Sequence, residues 1–309
     1  MVALLEGIVL AKRGGRYRVH VRGVIAEASV RGRLKQRGRE TVLVGDRVEL
    51  GTPRGGAHTI ERVLPRTSVL RRRMPGRAHG VRDVAANVEQ VVIVGAVADP
   101  PWSPQSIDRF AAVAAANGLP ATIVVNKCDL AHGCRPCGAP YVGAGYVVIC
   151  TSVPEPCGID ELRAILERRT TLFTGSTGVG KSSLLNVLQP GLALKTGNVS
   201  ERSRTGRHTT VAAEMHPFGQ EGYVVDTPGL RDIGLWGLDP SDVQAAFPDV
   251  ARWATKCRFA DCRHRSEPDC GVVTAVERGE LVASRLASYH RLLDEAHRAA
   301  RPWAKDRQP

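Results

Sequence analysis

The 309-residue chain predicts a multidomain fold: a small N-terminal β-barrel, a central α/β domain on a parallel sheet, and a mainly α C-terminal domain rich in Cys and His. Three observations predict it. Short strand-like runs broken by glycine pairs fill the first 70 or so residues. From about residue 88, continuous apolar runs alternate with helical spacing. Past residue 236 the Cys and His residues gather ahead of an amphipathic stretch. The expected boundaries are 1–72, 73–235 and 236–309.

In the first part, Gly7–Ala11, Tyr17–Val21, Val24–Val30 and Thr41–Leu50 read as strands, with Gly14-Gly15 and Gly55-Gly56 as breaks. Short, regularly spaced strands suggest a small barrel or sandwich. An SH3-like barrel gives the same pattern, but the charge favours an OB-fold that binds nucleic acid. Residues 1–80 hold 18 of the chain's 43 Lys+Arg and 6 of its 31 Asp+Glu, leaving 25 of each sign for the remainder. The whole +12 excess therefore lies in this quarter, and such a segment attracts polyanions. Residues 71–86, basic and bearing Pro and Gly, read as a linker.

In the central part, Val91–Val97, Ala121–Val125, Tyr146–Ile149, Thr170–Thr174 and Gly222–Val225 are apolar runs of the kind found in strands covered on both faces. Ile107, Phe110, Ala111 and Ala114 fall at helical spacing between the first two. Alternation of this kind argues for a parallel sheet. With aromatics at 5%, the core must come mainly from Val, Leu, Ile and Ala. Near the end, Ala283–His297 reads as an amphipathic helix. No run reaches the ~18 apolar residues of a membrane span. The N-terminus lacks the basic region of a signal peptide. A cytoplasmic protein is expected, its eight cysteines serving as metal ligands or free thiols rather than a disulfide framework.

The chemistry concentrates in four motifs. Gly175-Ser176-Thr177-Gly178-Val179-Gly180-Lys181-Ser182 follows an apolar strand and leads into the helix-like run from Ser183. This is a phosphate loop in its required context: glycines turn backbone N–H groups inward, Lys181 reaches the β- and γ-phosphates, and Ser182 ligates Mg²⁺. Asp226-Thr-Pro-Gly229 ends another apolar strand, where the acid holds Mg²⁺ and the Gly229 N–H meets the γ-phosphate. Asn126-Lys127-Cys128-Asp129 caps the strand Ala121–Val125. Its Asp can accept two hydrogen bonds from the N1–H and N2–H₂ edge of guanine, which adenine cannot supply. Thr151-Ser152 then lies where a backbone N–H meets the guanine O6. Between the phosphate loop and Asp226 sits Gly206-Arg-His208-Thr209-Thr210, from which Thr210 is expected to close on Mg²⁺ and the γ-phosphate. Leu230 stands where many GTPases carry the glutamine that orients water, so His208 is the substitute expected for that role.

The order is anomalous: residue 126 precedes residue 175, the reverse of familiar small GTPases. A circular permutation explains it, if the old termini were joined and new ends opened elsewhere. It also makes the Asp226–Gly229 loop lead straight into the C-terminal module. There Cys257-x₄-Cys262-x-His264-x₅-Cys270 supplies three thiolates and one imidazole, a closed tetrahedral set for one structural zinc. Cys134-Arg-Pro-Cys137 has no second pair nearby and reads as an exposed loop.

Together these residues resemble the bacterial ribosome small subunit-dependent GTPase A family. The resemblance runs over nearly the whole chain and adds Val44-Gly45-Asp46, Leu64-Pro65-Arg66, Asn87 and Ser288-Tyr289 to the motifs above. It implies an OB-fold, a permuted P-loop GTPase domain and a zinc domain with helices. It also implies late maturation of the small ribosomal subunit, through contact with that subunit and its rRNA, with hydrolysis stimulated by it and His208 at the family's hydrolytic histidine. A monomer that binds GTP and GDP, with no membrane contact, is the expectation. The alternatives are a guanine-nucleotide-switched RNA-binding protein and a GTPase acting on tRNA modification or on a protein partner.

Overall fold

The computed structural model describes residues 5–30, 42–54, 57–73, 81–130, 135–192, 213–226 and 239–300. Strands β1 (Leu5–Arg13), β2 (Arg16–Val21), β3 (Val24–Val30), β4 (Arg47–Arg54) and β5 (Ala57–Val63) close into a barrel in the order β1-β2-β3-β5-β4. Every pairing is antiparallel except β3 with β5. This is the order of an OB-fold. Val9, Val19, Val48, Leu50 and Ile60 fill the interior, while Lys12, Arg13, Arg16 and Arg22 stand exposed around the β1–β2 and β2–β3 turns. The strand expected over Thr41–Leu50 begins only at Arg47. Asp46 turns its carboxylate back to accept the Leu43 N–H at 2.7 Å, which bends the chain just before it.

Within the expected linker 71–86, the described residues 71–73 and 81–86 are strands instead. β6 (Val69–Arg73) and β7 (Val81–Ala86) pair as an antiparallel hairpin. Leu70 and Ala85, which face each other in register, are buried in the same core as the central sheet. The hairpin is tied to the barrel by polar groups centred on a buried carboxylate. Asp46, fully buried, accepts from Arg66 Nε at 2.6 Å and Nη2 at 2.9 Å. Asn87 donates to the Gly45 carbonyl at 2.9 Å and accepts the Thr67 N–H at 2.8 Å. The Val44–Asp46, Leu64–Arg66 and Asn87 signatures thus act as a joint between barrel and sheet.

The central sheet has the order β10-β9-β8-β11-β13-β12, from β8 (Gln90–Ala96), β9 (Ala121–Asn126), β10 (Val147–Cys150), β11 (Thr170–Gly175), β12 (Glu214–Phe218) and β13 (Gly222–Asp226). All pairs are parallel except the edge hairpin β12–β13. Strand β12 had no forecast in the sequence. One face is covered by α1 (Pro104–Ala116) and α2 (Arg135–Gly143), the other by α3 (Ile159–Leu166) and α4 (Lys181–Leu188). Helix α2 corrects the expected exposed loop at Cys134–Cys137: Cys137 sits within it, half-buried, and Cys134 lies outside the described residues.

The C-terminal part is helical: α5 (Pro240–Ala245), α6 (Pro248–Ala254), α7 (Gly271–Glu277) and α8 (Ala283–Ala300). Its core of Val243, Phe247, Val250, Tyr289, Leu292 and Ala296 includes Ala112 of α1, so this module packs directly on the central domain. No helix among the described residues is long and apolar enough to cross a membrane.

Candidate nucleotide site and metal centre

The sheet order explains how separated motifs meet. Strand β8 lies between β9 and β11, and β11 pairs with β13. The C-terminal ends of three parallel strands therefore carry Asn126–Asp129, Gly175–Ser182 and Asp226 to one edge, where open α/β sheets bind ligands.

The two loops at this edge interlock. Gly180 has φ +95°, and a Cβ there would lie 2.4 Å from Asn126 Nδ2, so the close approach requires glycine. Asn126, 2% exposed, donates to the Val179 carbonyl at 2.8 Å and accepts from Thr151 Oγ1 at 2.9 Å. It is a staple between the expected base loop and phosphate loop. Lys181 leads α4 and turns its ammonium inward, donating to the Gly175 and Ser176 carbonyls at 2.7 and 2.6 Å. Thr177 and Gly178 form the exposed crest of the loop, and Ser182 and Ser183 are half-buried in the first turn of α4. A loop of this shape presents N–H groups and one cation to an anion.

Beside it, Ser152 Oγ donates to Asp129 Oδ1 at 2.7 Å, and the Cys128 N–H donates to the Thr151 carbonyl at 3.1 Å. Asp129 is thereby aimed, with a second carboxylate oxygen still to use. Lys127, held at φ +62°, donates its ammonium to the Asp99 carbonyl. Asp99 belongs to the β8–α1 loop, whose Pro100 also approaches Gly178. Sequence reasoning missed this loop, which touches both nucleotide motifs; it carries no motif of its own. His208, Thr209, Thr210 and Gly229 lie outside the described residues, as does the side chain of Asp226.

In the C-terminal module, Cys257, Cys262, His264 and Cys270 place their ligand atoms within 4.8 Å of one another. Cys257 and Cys270 sulfurs are 3.8 Å apart, and His264 Nδ1 lies 3.4 and 3.5 Å from them. Tetrahedral ligands at a metal–sulfur length near 2.3 Å stand about 3.8 Å apart, so the donor set fits one metal ion. Around it, the Glu267 carboxylate accepts the N–H groups of Arg265 (2.8 Å), Arg263 (2.9 Å) and Ser266 (3.1 Å). The Arg265 and Arg263 N–H groups hold its pKa down to about 2. His264 lies against Tyr289 of α8, centroids 6.2 Å apart, which ties the metal loop to the helical core.

A polar cluster that sequence reasoning missed joins this module to the central domain. Arg285 of α8 is 2% exposed and lies between Asp249 of α6 and Asp108 of α1. It donates to both Asp249 oxygens at 2.9 and 3.0 Å and to Asp108, which also accepts from Ser288. Burial opposes the guanidinium charge, but Asp249 and Asp108 outweigh it and raise the Arg285 pKa further. Burial is the main reason the Asp108 pKa lies above the usual carboxylate value, against the pull of Arg285.

The family described as RsgA GTPase matches residues 63–236. The chain is 44% identical over 302 residues to the small ribosomal subunit biogenesis GTPase RsgA of Gemmatimonas aurantiaca, covering 96% of this chain and 98% of that protein. The protein of the same name from Moorella thermoacetica is 40% identical over 294 residues, covering 94% and 97%. Among solved structures, YjeQ from Thermotoga maritima aligns with a TM-score of 0.78 at 32% identity, over 97% of this chain and 100% of that one. YloQ, described as a circularly permuted GTPase, aligns with a TM-score of 0.74 at 26% identity over 98% of each.

Proposed function

The chain belongs to the RsgA GTPase family, and on that premise we infer that it hydrolyses GTP on the small ribosomal subunit during that subunit's maturation, in the cytoplasm and as a monomer. One observation carries the assignment of its site: the permuted strand order sets Asn126–Asp129 and Gly175–Ser182 side by side, stapled by Asn126 to Val179.

In this reading Asp129 reads the guanine edge, Lys127 lies along the base plane, and Thr151 and Ser152 complete the pocket. Residues Gly175 to Ser183 take the phosphates, with Lys181 moving from its own loop carbonyls onto phosphate oxygens. Ser182, Thr210 and Asp226 would hold Mg²⁺, which would supply neutralisation of phosphate charge. Gly229 and Thr209 close on the γ-phosphate, and His208 positions the attacking water. Unaided sites of this type turn over slowly, about 10⁻⁴–10⁻² s⁻¹, so completion by the ribosomal partner is expected. The exposed cations of the barrel supply attraction to rRNA.

The test is GTP turnover by the purified protein, alone and with small ribosomal subunits, using large subunits and ATP as controls. Stimulation of about tenfold or more is expected with GTP and small subunits only, and His208→Ala should remove it while GDP binding persists. Equal turnover with and without subunits would overturn the ribosome-activated mechanism.

Cys257, Cys262, His264 and Cys270 are proposed to hold zinc, which closes the short metal loop without an open position for catalysis. Glu267→Ala releases the three N–H groups that shape the loop around His264. It is expected to weaken zinc affinity about tenfold or more, as loss of supporting interactions around metal ligands does. Competition with a chromogenic chelator measures this; unchanged affinity would show that the four ligands hold their geometry unaided.

A further inference from the structure

The barrel rests on the edge hairpin β12–β13, and both expected Mg²⁺ loops adjoin the open end of that hairpin. Strand β13 ends at Asp226, and Glu214, which opens β12, pairs with Asp226 in register. Thr210 precedes Glu214 by four residues of sequence. Among the described residues β12 pairs with β13 alone. Its placement therefore depends on what covers it.

Three contacts bind this hairpin to the barrel. Ile8 and Leu10 of β1 share a core with Met215 of β12 and Val225 of β13. Arg13, at the end of β1, donates from Nη2 to Glu214 Oε1 at 2.5 Å. His20 Nδ1 of β2 and the Tyr223 hydroxyl of β13 share a hydrogen bond of 2.8 Å, their rings edge to face with centroids 5.8 Å apart. The three differ in kind. Apolar packing has no direction. The Arg13 side chain is 70% exposed, and an ion pair there contributes little. The His20–Tyr223 bond is directional and half-buried on both sides. Burial raises the Tyr223 pKa above that of an ordinary phenol, so the hydroxyl keeps its proton.

Tyr223 also lies at a telling point on its strand. It stands three residues before Asp226, opposite Thr170 of β11 and Pro217 of β12, and β11 runs on to Gly175 of the phosphate loop. On the barrel side, β2 runs between the two turns that carry Lys12, Arg13, Arg16 and Arg22.

We propose that Tyr223 is a positioning residue for GTP hydrolysis: its bond to His20 holds β13, and with it Asp226, to the barrel, so that a small subunit docked on the barrel sets the Mg²⁺ loops for turnover. This rests on the reading of Asp226 as a Mg²⁺ ligand and of the subunit as the activator. Tyr223 orients the strand and leaves substrate contact to others. Without its hydroxyl the barrel still docks, but undirected packing is left to hold the hairpin. The fraction of bound protein with Asp226 in the productive position then falls by the factor that the bond contributes.

The test measures turnover by the full chain at saturating GTP over a series of small-subunit concentrations. This separates the maximal stimulated rate from the half-saturating concentration. Tyr223→Phe keeps the ring and loses only the hydroxyl. Its maximal stimulated rate is expected to fall about fivefold, the worth of one intramolecular hydrogen bond. Half-saturating concentration, unstimulated rate and GDP affinity should stay as in the unaltered protein. His20→Leu should give the same fall, and the double variant no further one, because both changes remove the same bond. An unchanged maximal rate in Tyr223→Phe would overturn the proposal. So would an equal fall in the unstimulated rate or a loss of GDP binding, either of which would place the effect inside the GTPase domain. A higher half-saturating concentration alone would make the contact a docking aid, and losses that multiply in the double variant would separate the two residues; each overturns the proposal as well. Unaltered protein that shows no stimulation would overturn the ribosome-activated reading itself, before any variant is compared.

Discussion

Asp129→Asn is expected to reverse the base preference, lowering the GDP-to-XDP affinity ratio by about ten-thousand-fold, the discrimination typical of a site built on paired polar contacts. A carboxylate offers acceptors only, which suits the two N–H donors on the guanine edge. An amide offers one acceptor and one donor. It suits xanthine, which keeps N1–H but carries a carbonyl where guanine has its amino group. The surroundings favour a clean exchange, because Ser152 fixes one oxygen of Asp129 at 2.7 Å and a serine hydroxyl can serve an amide as well as a carboxylate. Competition binding with both diphosphates measures the ratio. Ser152→Ala, which removes only the aiming bond, should cost about tenfold in GDP affinity with no gain for XDP. An Asp129→Asn protein that still prefers GDP would mean that backbone groups, not this carboxylate, read the base.

The parts of this site that were legible in sequence are those in which chemistry and local structure coincide. Val91–Val97 is an unbroken apolar run, and Ala121–Val125 and Thr170–Thr174 interrupt theirs only with threonines, because β8, β9 and β11 are covered on both faces; the base and phosphate motifs follow the ends of the latter two. Elements at the margins were harder to read. β12 is an edge strand whose Pro217 and His216 break the apolar pattern, which only an edge tolerates. The hairpin β6–β7 was hidden by its arginines: among its described side chains Leu70, Ala85 and Ala86 are buried, with Val84 packed partly against the same core. The Asp46–Arg66 and Asn87–Gly45 bonds join residues 20 and 42 positions apart and follow from tertiary packing alone. For Arg285 a signal existed. It shares a face with Ser288, Tyr289 and Leu292 at helical spacing, so a cation lies on the buried side of α8 and calls for a buried acid.

That buried cation is the basis of the second large effect. Arg285→Met is expected to destabilise the protein by about 3–5 kcal/mol, the usual result of removing one member of a buried ionic cluster. Asp108 and Asp249, 1% and 7% exposed, would be left facing each other without a counter-charge. Stacking of the guanidinium on Phe247, 4.2 Å from the ring centroid, is lost as well. Methionine keeps most of the volume, so the loss reports charge rather than a cavity. Adding Asp108→Asn and Asp249→Asn to Arg285→Met removes the unpaired carboxylates and should restore part of the stability, which urea unfolding of the single and triple variants would measure. The functional consequence follows from where α1 begins. Its N-terminal side is the loop in which Asp99 holds Lys127 and Pro100 meets Gly178, and its Asp108 is gripped by Arg285 of the C-terminal module. The cluster therefore fixes the C-terminal module to a helix that starts at the nucleotide loops. The triple variant should bind GDP normally, since no nucleotide contact is altered, yet lose much of the stimulation of turnover by small subunits. Full stimulation in a stable triple variant would mean that the coupling between the two domains does not run through this cluster.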